Sequence, residues 1–478
     1  MTHICDRSAI ELATMIHAGE LSARELLDAT LERIERLNPQ INAIVTLAIP
    51  EAQAAAHAAD EAHAAGHPLG PLHGLPLAVK DLHDTAGIRT TLGSPIFADR
   101  IPTDDDLSVA RLRQAGAVVF AKTNVPEFGA GSHTFNPVFG VTRNPYALDR
   151  SAGGSSGGAA AALAAGLTTL ADGSDMGGSL RNPASFCNVV GHRPSPGRVP
   201  TVPAGDGWST MGTAGPMGRT VADAALMLSV QAGPDPRSPI ALPEPGSTFL
   251  ARLPTRLDGL RIALSPDLGG RLPVDPEIAA AVEAQAAVLT ELGATVTAAC
   301  LDFTGAEEVF QTLRALAFVL TGDELADTPP EQIKETVRWN IAKGRALSGT
   351  DVARANALRT ALFHQVRTFF TEFDALVLPA SQALPFDVDL EYPSVIDGTA
   401  IDNYLEWMRA AYFVSATECP ATAVPAGFSA DGLPIGVQIV APHRADLTAL
   451  GIAHALEQAG RHFEHRPAIV TELHPAEH

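Results

Sequence analysis

The chain has 478 residues, 46% of them hydrophobic, a net charge of −21 and a pI near 5.1. That is ample apolar material for a large core. An acidic surface repels nucleic acid and anionic membranes, so no nucleic-acid or membrane partner is expected and a neutral or cationic small substrate is.

The first residues, Met1-Thr2-His3-Ile4-Cys5-Asp6-Arg7, lack a basic stretch followed by an apolar one, and read as no signal peptide. The longest run of small apolar residues, Ala159 to Gly166, is too short to span a bilayer. Cys5, Cys187, Cys300 and Cys419 are scattered with no CxxC pair. They read as free thiols in a reducing, cytoplasmic setting, not as staples or zinc ligands.

Two capping boxes open the chain. Ser8-Ala9-Ile10-Glu11 starts a helix that Gly19 should stop, and Ser22-Ala23-Arg24-Glu25 starts a second running to about Leu37. Residues 50–66 form an Ala-rich helix. From about residue 70 short apolar strands alternate with helices: Leu77 to Val79, then a helix over Leu107 to Ala115, then Ala117 to Ala121. This is α/β texture with a largely parallel or mixed sheet. Residues 121–157 are rich in Gly, Pro, Asn and Ser and predict a long ordered loop region, usually a functional one. A helix over Ala159 to Ala165 follows a glycine turn.

Residues 231–256 are Pro-rich and read as a crossing segment. A strand (Leu260 to Leu264), a helix (Pro276 to Leu292) and a strand (Ala294 to Thr297) follow. Residues 305–372 read as a helical cap. The sheet resumes at Ala375 to Pro379. Ala421 to Phe428 and Ile435 to Val440 flank Asp431-Gly432, a hairpin signal. Leu447 to Gln458 is a last amphipathic helix, and the tail past Arg466 looks frayed. We therefore expect one domain over 1–478. Its N-terminal helices occupy 1–66, its sheet core 67–235 and 373–466, and its extra strands and cap 236–372.

Three fragments carry the chemistry: Pro76 to Asp81, Gly153 to Gly158, and Gly173 to Arg181. The glycine turn nearly fits a dinucleotide fingerprint, but Ala152 stands where its first glycine belongs and no phosphate-binding lysine follows. It also spells the G-x-S-x-G elbow, which needs a downstream Asp and then one of His364, His443 or His454. Neither reading uses the second Gly-Gly-Ser or Lys80. A lysine can act as base for a serine nucleophile, and a second serine can carry the proton between them. Glycines leave backbone N–H groups free to hold an oxyanion. The lysine and serines recur in strict order, with 75 residues from Lys80 to Ser155 and 24 from Ser155 to Ser179.

The chain resembles the amidase signature family. The resemblance rests on Gly153 to Ala162, Gly173 to Ala184, Phe186-Cys187-Asn188 and Gly191 to Ser195. Upstream, His73 to Asp81 and Ala121 to Phe128 match, and downstream Pro420 to Gly427 and Gly432 to Gln438. It implies a large mixed twisted sheet sandwiched between helices, with a helical cap insertion. It also implies hydrolysis of an amide-type bond with no cofactor. Ser179 is the implied nucleophile, Ser155 the bridging serine held by a cis peptide, and Lys80 the base. Met176, Gly177 and Gly178, with Ser179, are the implied oxyanion hole. Asp175 and Arg181 are implied scaffold, and Ser156 supports Lys80.

The sequence departs from the family pattern at Ser174, Met176, Asn188 and Arg193-Pro194-Ser195, which bears on specificity. Phe128, Gly129 and Trp208 are candidate pocket residues, as are Phe135, Trp407 and Tyr412. The expected substrate is a small, fairly apolar amide. Carbamate or aryl-ester cleavage at the same site is an alternative. So is a glutamine amidotransferase subunit of a tRNA-dependent complex. The expected assembly is a monomer or homodimer.

Overall fold

The computed structural model describes residues 3–472. Eleven strands form its main sheet: β1 (Ile44–Leu47), β2 (Pro76–Lys80), β3 (Val118–Thr123), β4 (Leu170–Asp175), β5 (Val190–Arg193), β6 (Thr213–Gly218), β7 (Arg261–Leu264), β8 (Thr295–Ala298), β9 (Ala375–Pro379), β10 (Ala421–Phe428) and β11 (Pro434–Val440). Their order across the sheet is β1-β3-β2-β4-β6-β5-β10-β11-β9-β7-β8. Strands β3, β2 and β4 run parallel, as do β9, β7 and β8, while antiparallel pairs link the two ends. The sheet is therefore mixed.

Strand alternation sorts side chains onto two faces. Leu77, Val79 and Val119 point into one core, shared with Leu12, Ile16, Leu112 and Met227. Those last four come from the helices Ala9–His17, Leu107–Gln114 and Val221–Gln231. Ala78, Val118 and Phe120 point into the other core, shared with Leu27, Ile34 and Leu163. The helices there are Ala23–Ile41 and Gly157–Ala164. Because both faces are covered, β2 and β3 are buried along their whole length.

Both N-terminal capping boxes form, with each serine hydroxyl accepting the N3 amide and each glutamate closing back. The second helix runs past the expected stop to Ile41 and ends at Asn42, whose φ of 56° is the left-handed cap conformation. The helix Gly157–Ala164 is buried on every side and carries only Gly, Ala and Leu. Small side chains let it lie close to its neighbours. A Cβ on Gly158 would come within 2.3 Å of the Asn124 backbone nitrogen.

Several elements depart from expectation. Ile44–Leu47 is an edge strand inside the segment read as helices alone. The strands β4, β5 and β6 were not anticipated, since LADGSD, VGHR and TAGPMG lack an apolar strand signature. Strands β7 and β8 extend the same sheet. The tail past Arg466 is ordered as far as described: Ala468–Thr471 form a helical turn, and Val470 is buried in the main core. Residues 473–478 of that expectation lie outside the described residues.

The cap consists of the helices Ala306–Glu324, Glu335–Arg345 and Gly349–Phe369. A satellite core of Phe318, Val337 and Ile341 seats its first two helices on Ala130, Phe97 and Phe128. Below it, Trp407 stacks on Phe186 at 5.9 Å and meets Phe386 edge-on at 5.3 Å. Trp407→Ala should cost about 3–5 kcal/mol of stability, read as a drop in the denaturant midpoint.

Candidate active site

Strand β2 ends at Lys80, which is fully buried. Its neighbour β4 ends at Asp175, so the loop 176–180 leaves the sheet beside the lysine. The glycine turn before the helix Gly157–Ala164 closes the third side. Ser132 Oγ and Thr134 Oγ1 donate to the carbonyls of Gly154 and Gly153 at 2.6 and 2.8 Å, and these bonds hold that turn. The Gly154–Ser155 peptide is cis.

Lys80 Nζ sits in a cage of hydroxyls. It donates to Ser155 Oγ at 2.8 Å, Ser156 Oγ at 2.7 Å and Ser174 Oγ at 3.1 Å. Burial lowers its pKa to about 7, against the pull of Asp172 and Asp175, which favour the cation. The Asp172 carboxylate is itself spoken for. It accepts the Lys80 backbone N–H at 2.6 Å and lies 2.5 Å from His83 Nδ1. Burial thus moves the lysine's titration down toward neutral pH.

Asp175 organises the loop. Its carboxylate accepts the amides of Gly178 at 2.8 Å and Leu180 at 3.1 Å. Arg181 grips it through Nε and Nη2, both at 3.0 Å, and Arg193 reaches it at 3.3 Å. Burial pushes the Asp175 pKa up, but the two guanidiniums outweigh it and hold the carboxyl well below the usual carboxylate range. Arg181 also donates to Gln438 Oε1 at 2.7 Å and Ser415 Oγ at 2.8 Å, which ties the loop to β11 and to the helix Arg409–Thr417.

One expected oxyanion donor is thereby removed. The Gly178 N–H points at Asp175 and is not free for a ligand. The amides of Met176, Gly177 and Ser179 make no such bond among the described residues. Gly178 instead turns the chain with a φ of 116°, and a Cβ there would come within 2.5 Å of Ala411 Cβ.

A cavity of about 310 Å³ opens over this loop. Ser155, Ser174, Met176, Gly177 and Ser179 line its floor, with Leu82 and His83 beside them. Ser155 is buried and Ser179 half-buried. Among the described residues their two hydroxyls make no direct hydrogen bond, although both face the cavity. Phe128 and Gly129 line it as expected, and a Cβ on Gly129 would lie 3.5 Å from Ser155 Oγ.

Trp208 does not line it. That side chain is 74% exposed and borders a separate groove with Leu316 and Leu320, because its loop runs over the surface. Trp407 and Tyr412 are buried core residues, and Phe135 lies beneath Lys334. Reading the sequence missed Ser174 as a partner of the lysine, along with Asp172, His83, Phe310, Phe318 and Arg314. Their place depends on which strands adjoin β2 and on how the cap folds over. Only Ser174 had a signal, as a hydroxyl kept at a departing position.

The Amidase family model matches residues 25–450. The chain is 37% identical over 465 residues to an acylamidase of Rhodococcus erythropolis, covering 96% of this chain and 97% of that one. It is 35% identical to a subunit of the glutamyl-tRNA(Gln) amidotransferase of Chromohalobacter salexigens, covering 98% of this chain and 99% of that one. Among solved structures, a bacterial aryl acylamidase of the amidase signature family superposes with a TM-score of 0.89 at 31% identity, covering 96% of this chain and 98% of that one. A 6-aminohexanoate cyclic dimer hydrolase does so with 0.87 at 28%, covering 98% and 100%. By the family model, the acylamidase relative and the shared fold, the chain belongs to the amidase (amidase signature) family and is an amidohydrolase.

Proposed function

We propose that the chain cleaves the C–N bond of small, fairly apolar amides through a seryl acyl-enzyme, with Lys80, Ser155 and Ser179 as the working groups. The observation that carries this reading is Lys80: a buried amine with a pKa of about 7, 2.8 Å from a serine hydroxyl. An exposed lysine titrates near ~10.4 and is a poor base at neutral pH. Burial removes that obstacle.

In its neutral form Lys80 accepts the Ser155 proton, and Ser155 takes the proton of Ser179 as that oxygen attacks the carbonyl. The Ser155–Ser179 contact closes when a substrate seats, as catalytic hydrogen bonds commonly do. The free amides of Met176, Gly177 and Ser179 face the oxyanion. Each such donor contributes roughly 3–4 kcal/mol to lowering the barrier. The relay then runs backward, protonates the departing amine, and repeats with water to release the acid. Ser156 and Ser174 hold the lysine amine in place. Asp175, Arg181 and Arg193 fix the loop that presents Ser179.

The acylamidase relative supports the amide reading. Carbamates and aryl esters present the same carbonyl to the same nucleophile and are tested beside amides. A second reading, an ammonia-supplying component of a larger complex, is favoured by the amidotransferase relative. It is distinguished by obligate co-purification with a partner and by glutamine hydrolysis only in that complex.

Ser179→Ala should lower kcat on an aryl amide by roughly ten-thousandfold or more. Turnover near the unmodified level rejects the nucleophile assignment. Ser156→Ala should keep measurable turnover, since Ser155 and Ser174 still hold Nζ. If instead it alone abolishes activity, the nucleophile is Ser156. Because the neutral amine is the active form and its fraction grows with pH, kcat/KM should rise through an inflection near pH 7. A profile flat from about pH 5.5 to 9 is incompatible with Lys80 as base.

A further inference from the structure

The cap places in the cavity wall a charge that the acyl-transfer chemistry leaves unused. Arg314 lies on the helix Ala306–Glu324 and lines the cavity with Phe310 and Phe318 of the same helix. It is 6% exposed. Its guanidinium carbon sits 4.7 Å from the centre of the Phe318 ring and 5.5 Å from that of Tyr404. Arg314 Nη1 donates to Asn340 Oδ1, and Asn340 Nδ2 donates to Tyr404 Oη at 2.7 Å. The guanidinium thus lies against two rings and is hydrogen-bonded to the neutral side chains of Asn340 and Tyr404.

It has no anion. Among the described residues no Asp or Glu oxygen lies within the 4.0 Å of an ion pair to it. Four other buried arginines differ: Arg33 faces Asp6, Arg181 and Arg193 face Asp175, and Arg198 faces Asp446. Arg219, also buried, donates to the backbone carbonyls of Thr168 and Arg7. An ion taken out of water without an opposite charge is strongly destabilising. Here the charge borders the cavity over the serine loop, and its neighbours in the wall, Phe310, Phe318 and Met408, are apolar.

We propose that Arg314 anchors a carboxylate of the substrate, so that the preferred amides carry an acid group at the cap end and an apolar body along Phe310, Phe318 and Met408. The inference rests on the acyl-transfer reading of this cavity and names its substrate class. It revises the neutral or cationic substrate expected from net charge. At contact distance the groups in the wall decide the field, whereas the charge of the remaining surface is screened over a Debye length of ~8 Å. A planar guanidinium in the cavity wall suits a carboxylate better than it suits a neutral carbonyl.

The test uses two matched pairs of anilides. In one, the acyl chain ends in a carboxylate or in its methyl ester. In the other, the aniline ring carries a carboxylate or its methyl ester. The unmodified enzyme should prefer the acid in at least one pair by roughly 10- to 100-fold in kcat/KM. Arg314→Met should erase that preference, and Arg314→Lys should keep part of it. Equal or lower kcat/KM for the acid in both pairs overturns the proposal without any variant, so a poorly folding Arg314→Met leaves it decidable. Survival of the preference in a folded Arg314→Met overturns it as well. Calorimetry of the same four compounds with Ser179→Ala separates anchor from chemistry. Tighter binding of the acid without turnover by the unmodified enzyme keeps the anchor and rejects hydrolysis. Turnover without acid preference rejects the anchor alone, and neither turnover nor acid preference in binding rejects both.

Discussion

The site turns on an amine buried without a counter-ion in contact. Lys80 Nζ has three serine hydroxyls around it and no carboxylate among its hydrogen-bond partners. Hydroxyls satisfy the N–H groups without stabilising the cation as an acid would, so burial prevails and the amine titrates near neutrality. Asp172 and Asp175, the nearby acids, are each engaged elsewhere: one by the strand and His83, the other by two arginines. Were either carboxylate to reach Nζ directly, the lysine would be held as a cation and could not serve as a base.

The second constraint is the loop after β4. A Gly-Gly-Ser turn has little stiffness of its own, since glycine loses the most backbone freedom on ordering. Asp175 supplies the stiffness by accepting two amides of that loop while two guanidiniums hold the carboxylate from behind. Arg181 opens the helix Arg181–Phe186 just after the loop and also holds Gln438 and Ser415, while Arg193 ends β5, so the loop is tied to elements distant in the chain. In the proposed mechanism this is what keeps Ser179 and its flanking amides in register with the bound carbonyl. The Gly178 amide serves that bracing and not the ligand.

The two halves of the cavity come from different parts of the chain and have different chemistry. The floor is polar, built from strand ends and glycine turns of the sheet. The upper wall is apolar, built from Phe310 and Phe318 of the cap and from Met408, and holds the buried guanidinium of Arg314. In the proposed reading this division lets the floor carry bond cleavage while the wall sorts substrates. Members of one fold can then act on different amides by changing the cap.

Lys80, Ser155 and Ser179, the groups of the proposed mechanism, stood out in the sequence because a strand ending in lysine and two Gly-Gly-Ser turns, each commonplace alone, occur together in strict order and spacing. The capping boxes, the cap helices and the β10–β11 hairpin were legible because each is specified within a few residues. The strands β4, β5 and β6 were not. Their Asp, Gly, Ser, His and Arg residues become strand only where neighbouring strands and buried partners take up their polar groups. Trp208 shows the converse error: an aromatic residue suggested a pocket, and the fold left it on the surface. The sequence by itself marked the groups that the proposed mechanism uses. Tertiary structure alone decided that Lys80 is buried among hydroxyls, that the Gly178 amide is bonded to Asp175, and that Arg314 lines the cavity. Those outcomes depend on burial and on partners distant in the chain, and no local pattern encodes either.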